Sequence, residues 1–224
     1  LSGIYAGSLF LALAIAAFYY ARCQRWWLAG GLGGAAALSR PYGVFLVVPL
    51  VFEYLAQRRA TRQALGPDAI ALRLIPAAFG GYLLYLAWHF GHPLVFLDAY
   101  TAWGMRPMSP WETLERFWSA PLVLHGTEHS LLDLAFTATF VLLAIITWRY
   151  LRPSCALYAS VLLLVMVSMG TLQSVMRYGL TLFPAFMVLA HVGRHRWFDC
   201  AYVISAVSLS ILLMVLFAMG HWVA

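Results

Sequence analysis

The stretch LSRPYGVFLVVP, residues 38–49, places Arg40 and Pro41 between two apolar runs. These runs are WWLAGGLGGAAAL (26–38) and VFLVVPLVF (44–52). A charged side chain is costly in the middle of a bilayer. A proline pushes the preceding residue out of helical dihedrals and suits the first turn of a new helix. We therefore predict a hairpin of two short helices, with Arg40 at the turn between them.

The composition predicts a protein embedded in a membrane. Hydrophobic residues make up 63% of the chain and charged residues 10%, whereas soluble domains carry about a quarter charged residues. The formal net charge of +6 comes from arginine, because the sequence contains no lysine. These arginines fall in short clusters between apolar runs, which indicates membrane topology and not a nucleic-acid-binding face.

Eight apolar segments predict an all-α polytopic membrane protein, with about eight transmembrane or half-spanning helices in a single domain, residues 1–224. The segments are 4–21, 26–38, 44–56, 74–88, 131–148, 155–168, 180–192 and 200–219. Four approach the roughly 20 residues that cross about 30 Å of hydrocarbon, and the others are short. The chain has no initiator Met and opens inside an apolar segment without signal-peptide features, so we expect a fragment that lacks its N-terminal part.

The arginine clusters set the predicted orientation, because short cytoplasmic loops are rich in arginine. The clusters are Arg22/Arg25, Arg58/Arg59/Arg62/Arg73, Arg149/Arg152 and Arg194/Arg196. All of them become cytoplasmic if residues 26–56 and 153–192 each form a hairpin. Arg40 and Arg177 then lie at the two outer turns. Residues 89–130 form one long external loop, of a length that is more often functional than a mere connection.

The external loop contains two motifs. SPWETLERFW (109–118) predicts an interfacial helix near residues 110–119, with Ser109 and Glu112 as a capping box. HGTEH (125–129) matches a zinc-protease pattern. The capping signal at Ser130 starts a helix only after this motif, so we interpret the match as accidental and expect no metal site.

The two outer turns have similar sequences, Ser39-Arg40-Pro41-Tyr42-Gly43 and Arg177-Tyr178-Gly179, and a helix is expected after each. A helix N-terminus carries partial positive charge and free N–H groups. An arginine adds a planar fork of donors that matches phosphate oxygens. Two converging turns would clamp a lipid phosphate at the membrane surface. The alternative is that both arginines only cap hairpins and contact lipid headgroups.

Four stretches, in the same order along the chain, resemble bacterial PIG-V-like mannosyltransferases, which belong to the GT-C glycosyltransferases. The stretches are IYAGSLFLALA (4–14), WWLAGGLGGAAALSRPYGVFLVVPLVFEYL (26–55), FGHPLVFLDAYTAWGMRPMSPWETL (90–114) and SVMRYGLTLFPAF (174–186). The chain departs from the family at two positions. Gly7 stands where the family often has Glu, and His92 stands where an Asp precedes the loop proline.

The resemblance implies transfer of a hexose, mannose above all, from a polyprenyl-phosphate donor to an acceptor on the outer face of a bacterial plasma membrane, without a cofactor. The expected substrate-binding residues are Arg40, Tyr42, Trp103, Trp111, Arg177 and Tyr178. The family's catalytic Asp lies in a first external loop that would precede Leu1. The general base is therefore unassigned, and Asp98 and Glu128 are only possible helpers.

Two other interpretations stay open, a flippase for a lipid or lipid-linked sugar without catalysis and an inactive scaffold subunit. Transporters place ionisable residues near the bilayer midplane. Glu53 is the nearest such residue here and is expected at the cytoplasmic edge. In every interpretation the expected partners are the bilayer and its lipids, not nucleic acid.

The predicted topology is tested by single cysteines introduced along the chain. A membrane-impermeant thiol reagent added from outside should label positions beside Arg40, Trp111 and Arg177, and should not label positions beside Arg59 or Arg152. Outside labelling beside Arg59 would invert or break this topology.

Overall fold

The computed structural model of the chain describes residues 6–102, 104–119, 121–123, 130–173 and 175–220. Within these ranges the structure is helical and contains no strand. The first six helices are α1 (Gly7–Arg22), α2 (Trp26–Ser39), α3 (Val47–Ala60), α4 (Leu74–Phe90), α5 (Val95–Thr101) and α6 (Pro110–Trp118). The next five are α7 (Leu131–Tyr150), α8 (Pro153–Val167), α9 (Val175–Gly179), α10 (Phe183–Val192) and α11 (Arg196–Ala218). Two 3₁₀ segments, Pro41–Leu46 and Pro67–Arg73, precede α3 and α4.

The all-α fold class is confirmed, and each predicted apolar segment contains a helix. Among the described residues, three helical stretches are long and apolar enough to cross a membrane: Pro67–Phe90, Leu131–Tyr150 and Arg196–Ala218. The other apolar helices are shorter. A membrane protein with several spans therefore fits the structure, while the count of eight crossings stays a prediction.

The hairpin at Arg40 is confirmed. Helix α2 ends at Ser39, and Arg40 is extended, with φ −149° and ψ 131°. The chain then returns through the Pro41–Leu46 segment into α3, so that the rings of Trp26 and Tyr54, at the far ends of α2 and α3, lie 4.8 Å apart. Gly43 permits the tight return, because a Cβ there would lie 2.6 Å from the Ala36 carbonyl oxygen.

The glycines of α2 let the helix pack closely against the chain that follows α3. A Cβ on Gly30 would collide with the carbonyl oxygen of Ala71 in the second 3₁₀ segment. A Cβ on Gly33 would overlap the Ile75 side chain, with its nearest atom at 2.7 Å. The glycine-rich run therefore allows close helix approach inside an apolar segment.

A buried polar network joins α3 to α8 at the end of the bundle opposite the Arg40 turn. Glu53 is 4% exposed. Its carboxylate accepts hydrogen bonds from the Ser154 hydroxyl, from Gln57 Nε2 at 2.9 Å and from Arg152 Nη1 at 3.4 Å. Arg22 Nη2 at the end of α1 reaches Cys155 Sγ at 3.2 Å beside this network. We call this region the Arg152 end.

The same end holds a second ion pair. Arg58 Nη2 lies 2.7 Å from Asp68 Oδ2, and the Tyr54 hydroxyl donates to Asp68 Oδ1 at 2.9 Å. Arg22, Arg58 and Arg152, which come from three predicted cytoplasmic clusters, thus lie at one end of the bundle. This agrees with the two-hairpin topology, and which side of the membrane the end faces stays a prediction.

Helices α6 and α7 begin where their capping residues predicted. The Ser109 hydroxyl accepts from the Glu112 N–H at 3.2 Å, and the Glu112 carboxylate accepts from the Ser109 N–H at 2.8 Å. Hydrogen bonding with Ser109 lowers the pKa of Glu112, and the bond from the Ser109 backbone N–H has the largest effect. The side chain of Ser130 accepts from the Asp133 N–H, which starts α7 at Leu131.

Glu53→Ala should lower the free energy of unfolding by about 2–3 kcal/mol, because buried hydrogen bonds to a charged acceptor are lost and the Ser154 hydroxyl loses its acceptor. Arg152 adds little to this loss, since its side chain is 64% exposed. The measurement is the melting temperature of the purified protein. The matched control is Glu115→Ala, which removes an exposed carboxylate from α6. Equal melting temperatures for the two variants would contradict a stabilising role of the network.

Candidate functional site

Arg40 lies half-buried at the end of the bundle opposite the Arg152 end, where three elements meet. Its Cζ is 5.7 Å from the ring centroid of Tyr42 and 5.6 Å from that of Tyr178. The two tyrosine rings lie edge to face, 6.5 Å apart, and the Tyr42 ring also packs on Phe10 of α1 at 4.9 Å. Gly7, at the start of α1, lies against the guanidinium: a Cβ there would be 3.3 Å from Arg40 Nη2.

The structure brings the second predicted arginine to the same place. Arg177 Cζ lies 5.0 Å from the centroid of the Tyr178 ring, and its Nη2 donates to the Tyr178 hydroxyl at 3.3 Å. Tyr178 therefore contacts both Arg40 and Arg177. The hairpin turn and α9 converge although about 140 residues of sequence separate the two arginines.

The helix N-terminus expected beside Arg177 is wrong. Arg177 is the third residue of the short helix α9, and the next long helix, α10, begins only at Phe183. The half-buried Phe183 ring packs against the core, 4.9 Å from Tyr158 and 5.4 Å from Phe18. Tyr178 and Gly179 are the last two residues of α9. The helix packs tightly on α7 there, because a Cβ on Gly179 would collide with the Phe140 ring.

An apolar cavity of about 480 Å³ lies next to the tyrosines that contact Arg40, although neither Arg40 nor Arg177 lines it. Its aromatic walls are Tyr42, Phe45, Phe79, Phe96, Tyr100 and Tyr178. Methionine and aliphatic side chains from the end of α8 and the segment before α6 complete the walls, and Ser168, Thr171 and Gln173 contribute polar groups. Both rings that flank Arg40 thus also form part of the cavity wall. Among the described residues, no carboxylate lines the cavity.

The charge of Arg40 is not compensated by an acid in the described part of the chain. Ion pairs there join Arg58 to Asp68 and Arg152 to Glu53, both at the other end of the bundle. At the cavity, the guanidinium meets the faces of two aromatic rings instead, which attract a cation without neutralising it. A half-buried cation beside an apolar cavity is an arrangement suited to an anionic amphiphile.

Other residues predicted for the site lie elsewhere or outside the described ranges. Trp111 is 70% exposed on α6 and does not line the cavity. Asp98 is exposed on α5 and does not line the cavity either, whereas Tyr100 on the same helix does. Trp103, Glu128 and the HGTEH motif lie outside the described residues. In the remainder of the chain, no cluster of three His, Cys, Asp or Glu side chains could hold a metal ion.

Sequence reasoning missed most of the cavity wall. Helix α5 was not predicted, although Phe96, Leu97 and Tyr100 on it face the cavity. The spacing of these three residues, i, i+1 and i+4, would have indicated one helical face. Phe45 and Phe79 carried no such signal, because an aromatic residue in an apolar helix serves lipid contact and core packing equally well.

Comparison with known proteins gives no match to a family model, to a curated protein or to a solved structure. Within the described ranges the chain is helical, has three stretches long and apolar enough to cross a membrane, and carries an arginine–tyrosine site beside an apolar cavity.

The Tyr42 hydroxyl is buried and makes no hydrogen bond of normal length and angle in the described structure, although the side chains of Arg40 and Thr181 lie near it. Tyr42→Phe should therefore leave the melting temperature unchanged or raise it, because an unpaired buried polar group is removed. The matched control is Tyr158→Phe, since the Tyr158 hydroxyl donates to the Thr181 carbonyl at 2.8 Å, and its loss should cost about 1–3 kcal/mol. Equal destabilisation by both variants would show that the Tyr42 hydroxyl has a partner in the unliganded protein.

Proposed function

We propose that this chain binds a lipid-linked phosphate at Arg40 and is part of a membrane glycosyltransferase. The enzyme would move a hexose such as mannose from a polyprenyl phosphate to an acceptor on the outer face of a bacterial plasma membrane. The observation that carries the proposal is Arg40 itself. In the described structure it is a half-buried cation without a carboxylate partner, held against two rings that also wall an apolar cavity.

The arginine supports phosphate recognition through its charge and its shape. A guanidinium presents several N–H donors in one plane, which match two phosphate oxygens at once. In the poorly solvated surroundings of Tyr42 and Tyr178, this attraction is stronger than in water. Arg177, which contacts the same Tyr178 ring, would supply a second cation for the phosphate.

The cavity supports binding of the lipid part. Its volume of about 480 Å³ falls within the range of roughly 300–1,000 Å³ found for small-molecule pockets. Its walls are almost entirely aromatic, methionine and aliphatic side chains. A branched, unsaturated chain makes dispersion contacts with such walls. We place the first isoprene units of the donor here and the rest of the chain in the bilayer.

The transfer step follows from this placement. The bond between the sugar C1 and the phosphate oxygen breaks, the phosphate keeps the electron pair, and the acceptor hydroxyl forms the new bond to C1. Arg40 and Arg177 would stabilise the charge that the leaving phosphate gains. A general base takes the proton of the acceptor hydroxyl. We place this base outside the described cavity wall, which holds no carboxylate.

The same lack of a carboxylate on the described cavity wall favours a second candidate, a protein that binds or moves the lipid-linked sugar without catalysis. The two candidates share the phosphate site and differ in chemistry. Full-length protein incubated with a polyprenyl-phosphate hexose and acceptor extract should release polyprenyl phosphate if it is the enzyme. Binding without release would support the flippase or scaffold alternative.

Arg40→Ala should weaken binding of polyprenyl monophosphate to the full-length protein in nanodiscs by roughly ten- to a hundredfold, because a charge-assisted contact is worth about 1.5–3 kcal/mol. Arg40→Lys should recover only part of the affinity, since the ammonium keeps the charge and loses the fork. Arg177→Ala should also weaken binding, and the double variant should lose less than the sum, because groups that share a ligand are coupled.

The matched control is Arg59→Ala, which removes an exposed arginine from the Arg152 end and should leave the affinity unchanged. A lower melting temperature with unchanged affinity in Arg40→Ala would contradict the proposal and make Arg40 a structural cap of the hairpin.

A further inference from the structure

A shallow apolar groove of about 320 Å³ lies between α7 and α8 and is distinct from the cavity beside Arg40. Its walls include Val141, Ile145 and Trp148 of α7, aliphatic side chains of α8, and Pro110 at the start of α6. The two side chains with polar groups bond to each other, because Trp148 Nε1 donates to the Ser160 hydroxyl at 3.1 Å. In the described structure no charged side chain lines this groove. Its surface therefore suits hydrocarbon.

The groove and the cavity share one wall residue, Leu164 of α8. Leu163, before it in the chain, lines the groove, whereas Val165 and Met166, after it, line the cavity. The Leu164 side chain is 57% exposed, so it can change rotamer without disturbing the core. The two apolar spaces therefore adjoin at Leu164.

The groove leads from the cavity toward the Arg152 end. Helix α8 begins at Pro153, so Ser160 lies nearer to that end than Val167, which also lines the groove. The helix rises about 10 Å between these two residues. Helix α7, the other wall, is long and apolar enough to cross a membrane. A chain that follows the groove therefore runs into the hydrocarbon and not along the membrane surface.

We propose that this groove binds the hydrocarbon tail of the lipid-linked phosphate, which leaves the cavity past Leu164 and runs between α7 and α8. The inference rests on the proposed function and adds to it the path of the lipid beyond its first units. The phosphate stays at Arg40 and Arg177, because the tyrosines that contact these arginines line the cavity from which the tail leaves.

The tail is favoured over other hydrocarbon because one end of it is already held. A head group bound at Arg40 brings the tail to the groove at a high effective concentration, whereas a chain of a bulk lipid has no such anchor. The gain comes from packing contacts and not from removal of the tail from water, since lipid chains are as apolar as the groove. We therefore expect a defined path for the tail together with a modest effect on affinity.

The first experiment locates the tail. Full-length protein in nanodiscs is irradiated with a long-chain polyprenyl monophosphate that carries a diazirine on an isoprene unit beyond those that fill the cavity, and the crosslinked peptides are identified by mass spectrometry. Crosslinks should fall on the groove residues of α7 and α8, and should decrease in Arg40→Ala or with excess unlabelled polyprenyl monophosphate. A phospholipid with the same group in its acyl chain should label α11, which has no buried residue, at least as strongly as the groove.

The second experiment fills the groove. Ile145 is 59% exposed and lines the groove but not the cavity. Ile145→Trp should weaken binding of the long-chain polyprenyl monophosphate about three- to tenfold, because the tail loses its packing contacts. Binding of farnesyl monophosphate, whose short tail fits within the cavity, should stay within about twofold. The matched control is Leu142→Trp on the same helix: Leu142 is 57% exposed and lines neither space, so neither affinity should change.

The outcomes separate this inference from the function on which it rests. Crosslinks spread evenly over α7, α8 and α11 would overturn it, as would equal losses of long-chain and farnesyl binding in Ile145→Trp. Efficient disulfide-linked dimers of Ile145→Cys, in a background with Cys23 and Cys200 replaced by serine, would assign the groove to a second copy of the chain instead. Reduced phosphate binding in Arg40→Ala together with crosslinks outside the groove would leave the phosphate site standing. Unchanged binding in Arg40→Ala would overturn the proposed function itself.

Discussion

The break in the apolar run at Arg40 and Pro41 is the constraint on which the rest of the structure depends. Arginine resists burial in hydrocarbon and proline ends the helix before it, so the chain turns there and α3 returns alongside α2. The return brings Trp26 and Tyr54 together at 4.8 Å and delivers Glu53 to the hydroxyl of Ser154. The turn itself holds Arg40 against Gly7. One local break thus positions both polar ends of the bundle.

The two ends of the bundle differ in whether their arginines are paired with carboxylates. At the Arg152 end, arginines meet carboxylates: Arg58 pairs with Asp68 and Arg152 pairs with Glu53. At the other end, Arg40 meets tyrosine rings and a glycine. Compensated ion pairs hold helices in register, whereas a cation left open beside a cavity is available to a ligand. The contrast within one bundle explains why the candidate site is assigned to one end and the stabilising network to the other.

The short helices serve the candidate site. Helix α10 begins at Phe183, whose ring packs against Tyr158 and Phe18, and the chain before it forms the short helix α9. Irregular backbone is tolerated at membrane depth only where it is buried in protein or lines a cavity. Tyr178 lies on this segment and forms part of the cavity wall. In contrast, α11 has no buried residue and contributes nothing to the cavity wall described here.

The sequence by itself determined the features that act over one or two helical turns. Hydropathy predicted the membrane class and the helices, Pro41 predicted the break, and Ser109 and Ser130 predicted the starts of α6 and α7. It also picked out Arg40, Tyr42, Arg177 and Tyr178, because their two motifs look alike. Only the tertiary structure decided that these motifs meet around Tyr178 and that Gly7 lies against Arg40. It also decided that α10 starts at Phe183 and not directly after Arg177. The physical reason is that caps and breaks depend on neighbours in the chain, whereas these contacts depend on which helix faces pack together, and apolar residues suit lipid, core and cavity alike.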